Sequence, residues 1–394
     1  MRIAIVNTDY AGFLKWHYGR HPELKHKTFA EQMAARNASM FGVADFYSRA
    51  FHALGHQAKD IHTNNANMQA AWAREEGMGE IARQLHDGAS SVPGLTGLRK
   101  LVSPLKPLLR PLGQQLGLTA QISRAELSVL SAQFEAFKPD IIFNQELFYL
   151  NSAALRALPA ASHSKITGFH GRVTCGPELN GYDLLVTPVA SVATAARAKG
   201  LRVVRSSLAF GAPVLDSMIA TSERDIDVSF VGSISDEHLG RLAMLEEVGQ
   251  NFKLQVFGSG QQFLSSQSPL HECWKGEVWG REMYATLARS KITLNSHGDA
   301  VAHDVGNMRL YEATGIGTFL LTDWRQQLHE LFQPGVEVET WKTPKECIEK
   351  IAYFLDRGQH ERNTIAAAGQ TRTLASHTYD HRARTLLEEF AKLL

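Results

Sequence analysis

Between Asn307 and Asp323 the chain reads NMRLYEATGIGTFLLTD. A polar residue ahead of a short apolar-periodic run, glycines at 315 and 317, and then TFLLT predict a helix, a glycine turn and a buried strand. Arg309 falls in the first turn of that helix and Glu312 one turn further on. The order is unfavourable, because a helix amino end carries partial positive charge and Arg before Glu is the weaker direction for a same-face pair. It calls for an anion near the helix start. A phosphate would suit, since backbone N–H groups and Arg309 would both face it. Upstream, SKITLNS (Ser290 to Ser296) is another β-type run, and HGDAVAHDVG joins it to the helix. In an open parallel sheet, loops at the carboxyl ends of strands are where ligands bind.

The same rhythm of strand and helix appears twice along the chain. RIAIVN (Arg2 to Asn7), PDIIFNQ (Pro139 to Gln145), SKITGFH, YDLLVTP and RVVRSSL alternate with helical stretches such as Ala44 to Leu54. VSFVGS (Val228 to Ser233), KLQVFGSG, KITLNS and GTFLLTD form a second series, and the end of the chain from about Thr343 reads as mostly helical. Strand–helix alternation of this kind builds a parallel sheet covered on both faces. The expected fold class is α/β, with two doubly wound Rossmann-like domains. The irregular stretch 208–227 holds the linker, giving residues 1–212 as the first domain, 213–376 as the second and 377–394 as a closing helix. Residues of about 64–130 lack strands and read as a helical insertion in the first domain.

A chain of 394 residues exceeds the roughly 250–300 residues at which single cores stop growing. The 41 basic and 40 acidic residues exert no global pull on nucleic acid, so no nucleic-acid partner is expected and any polyanion site must be local. Cys175, Cys273 and Cys347 are widely spaced without a CxxC, against a disulfide framework or a structural zinc site. The start MRIAIVNTDY opens on a strand without a signal-peptide pattern, and no run approaches the roughly 18 apolar residues of a membrane helix. A cytoplasmic location is expected. Within the insertion, GLRKLVSPLKPLLRPLGQQLGL (Gly97 to Leu118) sets basic residues among leucines. It reads as an inserted arm or as a peripheral contact with the inner face of the membrane; its prolines forbid one continuous helix.

The candidate site residues cluster at strand ends. In VGSISDEHLGRLAMLEEV, Gly232 and Ser233 form a turn that allows close backbone approach, and Arg241 on the following helix has the geometry to clamp a phosphate. VFGSGQQF fails as a dinucleotide fingerprint because Phe263 stands where the third glycine belongs. There is no GxxxxGK[ST] either. Glu312 offers two acceptor oxygens to a ribose diol, or else pairs with Arg309 at the surface. In the first domain, Tyr10 and Gly12 of NTDYAGFLKWHY suit an acceptor loop, and the alternative is a hydrophobic elbow.

The block from Val228 to Asp323, with VSFVGS, KGEVWGREMYATLARSKITLN and R-x-Y-E-A-x-x-x-G-x-F-L-L-T-D, resembles glycosyltransferases of the GT-B fold, in the group-1 branch that includes the spore maturation protein CgeB family. The resemblance covers the C-terminal half well and the N-terminal half in outline. It implies two domains facing a cleft and a nucleotide-sugar donor on the second. Glu312 would then hold the ribose, Asn307 and Arg309 the diphosphate, and the backbone near Glu277 and Val278 the base. Asp304 matches the first acid of the family's E-x7-E arrangement by spacing, but as an aspartate.

The expected reaction moves a sugar to a glycan, lipid-linked or protein acceptor. Charge on the leaving diphosphate would be met by arginine and a helix start, with no metal and no cofactor. The D-x-D at Asp225 to Asp227 precedes a strand and is read as coincidental. His170, after the strand in KITGFHGRVTCG, is the candidate general base, and Asp304 the second candidate catalytic group. His297 and His303 lie in the donor-side loop. A non-catalytic nucleotide-sugar-binding protein, a sugar phosphorylase and an epimerase are the alternatives.

Overall fold

The computed structural model describes residues 1–90, 122–171, 179–218, 223–235, 239–297 and 305–394. Cys175, His303, Asp304 and the basic segment 97–118 therefore lie outside the described residues. The first sheet contains β1 (Arg2–Asn7), β2 (Gln57–His62), β3 (Ile141–Asn144), β4 (Lys165–Phe169), β5 (Leu184–Thr187) and β6 (Val203–Arg205). All six are parallel, in the order β2-β1-β3-β4-β5-β6. The second sheet contains β7 (Ile226–Val231), β8 (Leu254–Phe257), β9 (Trp274–Gly276), β10 (Ser290–Asn295), β11 (Phe319–Asp323) and β12 (Glu339–Trp341). It is also parallel, in the order β12-β11-β10-β7-β8-β9.

These are the two doubly wound sheets expected of the chain, and the burial of their strands explains why they could be read. IIFN of β3, LLVT of β5 and FLLTD of β11 are buried at every position, as strands covered by helices on both faces must be. Three strands give no such signal. QAKDIH of β2 alternates charge with apolar residues, while β9 and β12 have three residues each. All three lie toward sheet edges, where burial constrains composition less.

The turn from β1 leads into α1 (Ala11–Arg20), followed by α2 (Phe29–Ala38) and α3 (Phe46–Ala53). Thr28 and Glu31 close a reciprocal capping box on α2. Helices Ala66–Glu75, Gly79–Ser90 and Arg124–Phe137 separate β2 from β3. Topology reverses between β1 and β3 in the first sheet and between β7 and β10 in the second, so a crevice opens at the carboxyl ends of each pair.

After the second sheet, helices Pro344–Leu355 and Gln359–Ser376 lead to the last helix, Tyr379–Ala391. That helix lies on the first unit: Tyr379 meets Tyr47 and Phe46 at ring separations of 4.8 and 5.2 Å, and Phe390 meets Phe143 at 5.8 Å. One apolar cluster therefore runs through both units, from Ile5 and Phe143 to Tyr284, Leu310 and Phe332. Phe390 is fully buried there. Phe390→Ala should cost about 3–5 kcal/mol, measured by urea unfolding. A loss below about 1 kcal/mol would show that the last helix does not brace the first unit.

Candidate active site

The two units touch at both ends of a cleft. At one end the α1 start meets the loop after β9: a Cβ on Gly12 would lie 2.9 Å from Trp279 Cζ2 and 3.3 Å from Glu277 Oε2. Beside them the Arg281 N–H donates to the Ser39 carbonyl at 2.9 Å, and Arg20 pairs with Glu282 at 2.5 Å. Toward the other end Arg205, closing β6, stands 3.7 Å from Glu330, in the turn after β11. The carboxyl ends of both sheets therefore face the space between the units.

On the second unit, the crevice between β7 and β10 is held by arginines. Arg241, in the Leu239–Asn251 helix, donates to the Ser233 carbonyl at 2.8 Å and to the Ser296 carbonyl at 2.5 Å. It staples the loops that follow β7 and β10. Gly232 and Ser233 form the first of these loops, supported from below by the glycines of VFGSG. The Gly232 N–H donates to Phe257 and the Ile234 N–H to Ser259, both at 2.9 Å. Gly258 and Gly260 have φ of +156° and +113°, and a Cβ on either would sit about 2 Å from a carbonyl oxygen of Gly232 or Ile234. The stretch that fails as a dinucleotide fingerprint is thus the bed of the β7 loop.

Asn307 caps the Met308–Gly315 helix through its side-chain oxygen and ties it to β10 by donating to Asn295 at 2.9 Å. Arg309 reaches back to the end of β7, where Nε donates to the Val231 carbonyl at 3.0 Å. Its Nη1 lies 3.0 Å from Met283 Sδ and 2.8 Å from Glu312 Oε2. The anion that the order of the two residues demands is, in the first instance, Glu312. The pair is not on the surface: Glu312 is 4% exposed. Burial raises its carboxyl above the ordinary range, against the pull of Arg309 and a hydrogen bond with Tyr284. The Arg309 contact is close but poorly aligned, leaving Glu312 Oε2 without a hydrogen bond.

His297 follows β10 and is turned inward. Its Nδ1 is 2.7 Å from Asp323 Oδ1, its backbone N–H donates to the same oxygen at 3.1 Å, and its Nε2 faces the Gly306 N–H at 3.4 Å. Burial alone would raise the Asp323 pKa, but His297 and Arg325 outweigh it and bring it down to about 2. This buried dyad ties the loop after β10 to the end of β11. Glu277 is exposed and Val278 half-buried beyond β9. The D-x-D carboxylates sit at the other end of β7, where Asp225 pairs with Arg289 and Asp227 with Lys291.

On the first unit, Tyr10 is 63% exposed at the mouth of the cleft, edge-on to Phe41 and Trp279. Its loop is anchored by Asp9, buried with Arg36 at 2.7 Å and with its N–H donating to Asn64. Burial works against the Asp9 carboxylate, yet His62 and Arg36 hold its pKa far below the usual range. His170 caps β4: its N–H donates to Val186 and its carbonyl accepts from Thr187. Its ring lies against Phe148, 2% exposed. The structure thus joins Arg241, Gly232, Ser233, Asn307, Arg309 and Glu312 around one crevice, with Gly12 meeting Glu277 at one end of the cleft. Asp9, Trp279, Tyr284 and the His297–Asp323 dyad were not singled out from sequence for these roles.

Because folding raises the Glu312 pKa, folding favours its neutral form. That contribution is fully present below the ordinary value of 4.5 and is lost as pH rises through the folded pKa. Glu312→Gln stays neutral throughout. Unfolding free energies measured from about pH 4 to 8 should therefore shift progressively in favour of the Gln variant. A difference that stays constant with pH would exclude the burial penalty.

Residues 241–388 match the model of a protein family described as glycosyl transferase-like. No curated protein matches the chain. Among solved structures, a glycosyltransferase from Rickettsia africae ESF-5 is similar over all of this chain and 98% of its own, with 11% identity and a TM-score of 0.56. Anabaena Alr3699/HepE, solved in complex with UDP-glucose, is similar over the whole of both chains at 11% identity and a TM-score of 0.53. AviGT4, a glycosyltransferase involved in avilamycin A biosynthesis, is similar over all of this chain and 98% of its own at 13% identity and a TM-score of 0.51. These likenesses are of fold, and the fold is that of GT-B glycosyltransferases.

Proposed function

We propose that the protein transfers a glycosyl group from a nucleotide-sugar donor, held on its second unit, to a hydroxyl of an acceptor facing the first. The observation that carries this reading is the crevice between β7 and β10. There Arg309, the start of the Met308–Gly315 helix and the buried Glu312 converge, within the stretch similar to glycosyl transferase-like proteins. The narrower likeness to the CgeB branch rests on the R-x-Y-E-A motif.

The diphosphate would lie against the N–H groups at the helix start, with Arg309 supplying charge from the side. Arg241 keeps the two loops at the distance this requires. Glu312 would accept from the ribose, exchanging a misaligned contact for an aligned hydrogen bond. Transfer would need no metal, since the leaving charge is met by guanidinium and helix dipole. A base at the first unit's strand ends, His170, would take the acceptor proton, and Asp304 would contact the donor sugar. The acceptor is a glycan, a lipid-linked sugar or a protein, and the place of work is the cytoplasm or the inner membrane face. No described helix is long and apolar enough to cross a membrane. UDP-glucose, bound by the Anabaena protein, is the first donor to try.

Arg309→Ala should weaken nucleoside diphosphate binding about tenfold or more, the value of a charge-assisted hydrogen bond. Unchanged affinity in calorimetry would remove the diphosphate from this crevice. Excess chelator should leave turnover intact, and loss of turnover restored by magnesium or manganese would overturn the metal-free route. For Glu312, the wild type should lose affinity for the 2′-deoxy or 3′-deoxy nucleotide lacking the recognised hydroxyl, and Glu312→Gln should discriminate less. Equal wild-type affinity for all three sugars would take Glu312 off the ribose.

A further inference from the structure

The helix Arg281–Arg289 of the second unit begins on the first. Its N-cap is Gly280, at φ +53°, which has no side chain to cap it. The cap comes from across the cleft instead: the Arg281 N–H donates at 2.9 Å to the carbonyl of Ser39, the residue that ends α2. A Cβ on Gly280 would fall 2.0 Å from that carbonyl oxygen, so only glycine allows the approach. The amino end of one helix thereby faces the carboxyl end of another, the favourable order for their dipoles.

A side-chain pair repeats the match. Arg20 stands in the last turn of α1 and Glu282 in the first turn of the other helix, each at the helix end that its charge favours. The two meet at 2.5 Å, and Arg20 is steadied over the Trp16 ring at 5.2 Å. The backbone after Ser39 is strained: Met40 and Ala44, both buried, have φ of +58° and +39°. Such conformations persist only where the surroundings over-determine them. Here they bring Phe41 against Trp279, with 5.0 Å between ring centres.

The next residues of the same helix reach the crevice between β7 and β10. Met283 Sδ lies 3.0 Å from Arg309 Nη1, and Tyr284, itself buried, hydrogen-bonds the Glu312 carboxylate. One helical turn thus carries, in succession, two residues held by the first unit and two that hold the arginine–glutamate pair. Because the four share one hydrogen-bonded turn, Glu282 cannot leave Arg20 without moving Met283 and Tyr284.

We propose that Arg20 and the Ser39 carbonyl are positioning groups of the first unit, which set Arg309 and Glu312 through this helix although they touch neither. The effect on a donor rests on the glycosyl-transfer reading; the coupling of Arg20 to Arg309 does not. Linkage makes the coupling reciprocal, so a nucleotide that holds Arg309 in place tightens the contact between the units.

The test reverses each charge of the pair alone and then both together in the full chain, and reads UDP affinity by calorimetry. Arg20→Glu and Glu282→Arg should each weaken UDP about two- to fivefold, the range of an exposed ion pair. The double variant should return toward the wild-type value. Simple attraction of the anion predicts otherwise, since Glu282→Arg adds positive charge and would tighten binding. Without ligand, the methyl NMR signal of Met283 should shift in both single variants and recover in the double. Unchanged affinity in both single variants, or changes of opposite sign, overturn the proposal. If the wild type binds neither UDP nor another nucleoside diphosphate, the transfer reading fails and the Met283 signal decides alone: its constancy in both single variants overturns the coupling.

Discussion

The cleft depends on the wedge formed by Phe210. The chain crosses from the first unit to the second here, and returns through Thr378 immediately beside it. The Phe210 N–H donates to the His377 carbonyl at 2.8 Å, and the Tyr379 N–H donates to Phe210 at 3.2 Å. On one side a Cβ at Gly315 would fall 2.3 Å from the Phe210 ring, and at the neighbouring Gly211 it would fall 2.4 Å from Phe46. Both crossings are thus locked to each other and to the helix that carries Arg309 and Glu312. Arg382 adds to the lock by donating to the Ser207 and Leu208 carbonyls. Two sheets that would otherwise be separate cores share one, and the strand ends are held facing each other.

Given that frame, the second unit is built to keep its crevice open. Arg241 and Asn307 commit their side chains to neighbouring loops and strands, and Gly258 and Gly260 leave room for the β7 loop to lie flat. In a parallel sheet the switch point follows from topology alone, but its width does not. The width is set by these contacts, so Arg241 shapes the crevice whether or not it also touches a ligand.

The buried strands of both sheets were legible because covering on both faces forces continuous apolar runs, as in IIFN and FLLTD. β2 was not, since an edge strand with solvent on one side tolerates the exposed Lys59, and its Asp60 is held by the Ser48 hydroxyl. Arg309 and Glu312 were legible because their order conflicts with the helix dipole, a local violation that needs a non-local remedy. Trp279 and the His297–Asp323 dyad were not, because their roles come from residues far away in the chain: Gly12 across the cleft, Asp323 on the next strand. The GSG of VFGSGQQF is excluded as a dinucleotide fingerprint by Phe263, but that its glycines instead accommodate the β7 loop was not legible, since glycines beside a protein loop and glycines beside a pyrophosphate obey the same steric rule.

The remedy for Arg309 also bears on how the crevice would receive an anion. A free arginine on a helix start would lose much of its rotamer freedom on binding. Arg309 is already oriented by the Val231 carbonyl, Met283 and Glu312, so little further ordering is needed. Its pairing with Glu312 is geometrically imperfect and leaves one carboxylate oxygen unsatisfied in a buried place. A second anion beside Arg309 and a hydroxyl beside Glu312 would each improve on what the pair does alone. The proposed nucleotide-sugar donor, a ribose linked to a diphosphate, would carry both groups and could meet both needs at once.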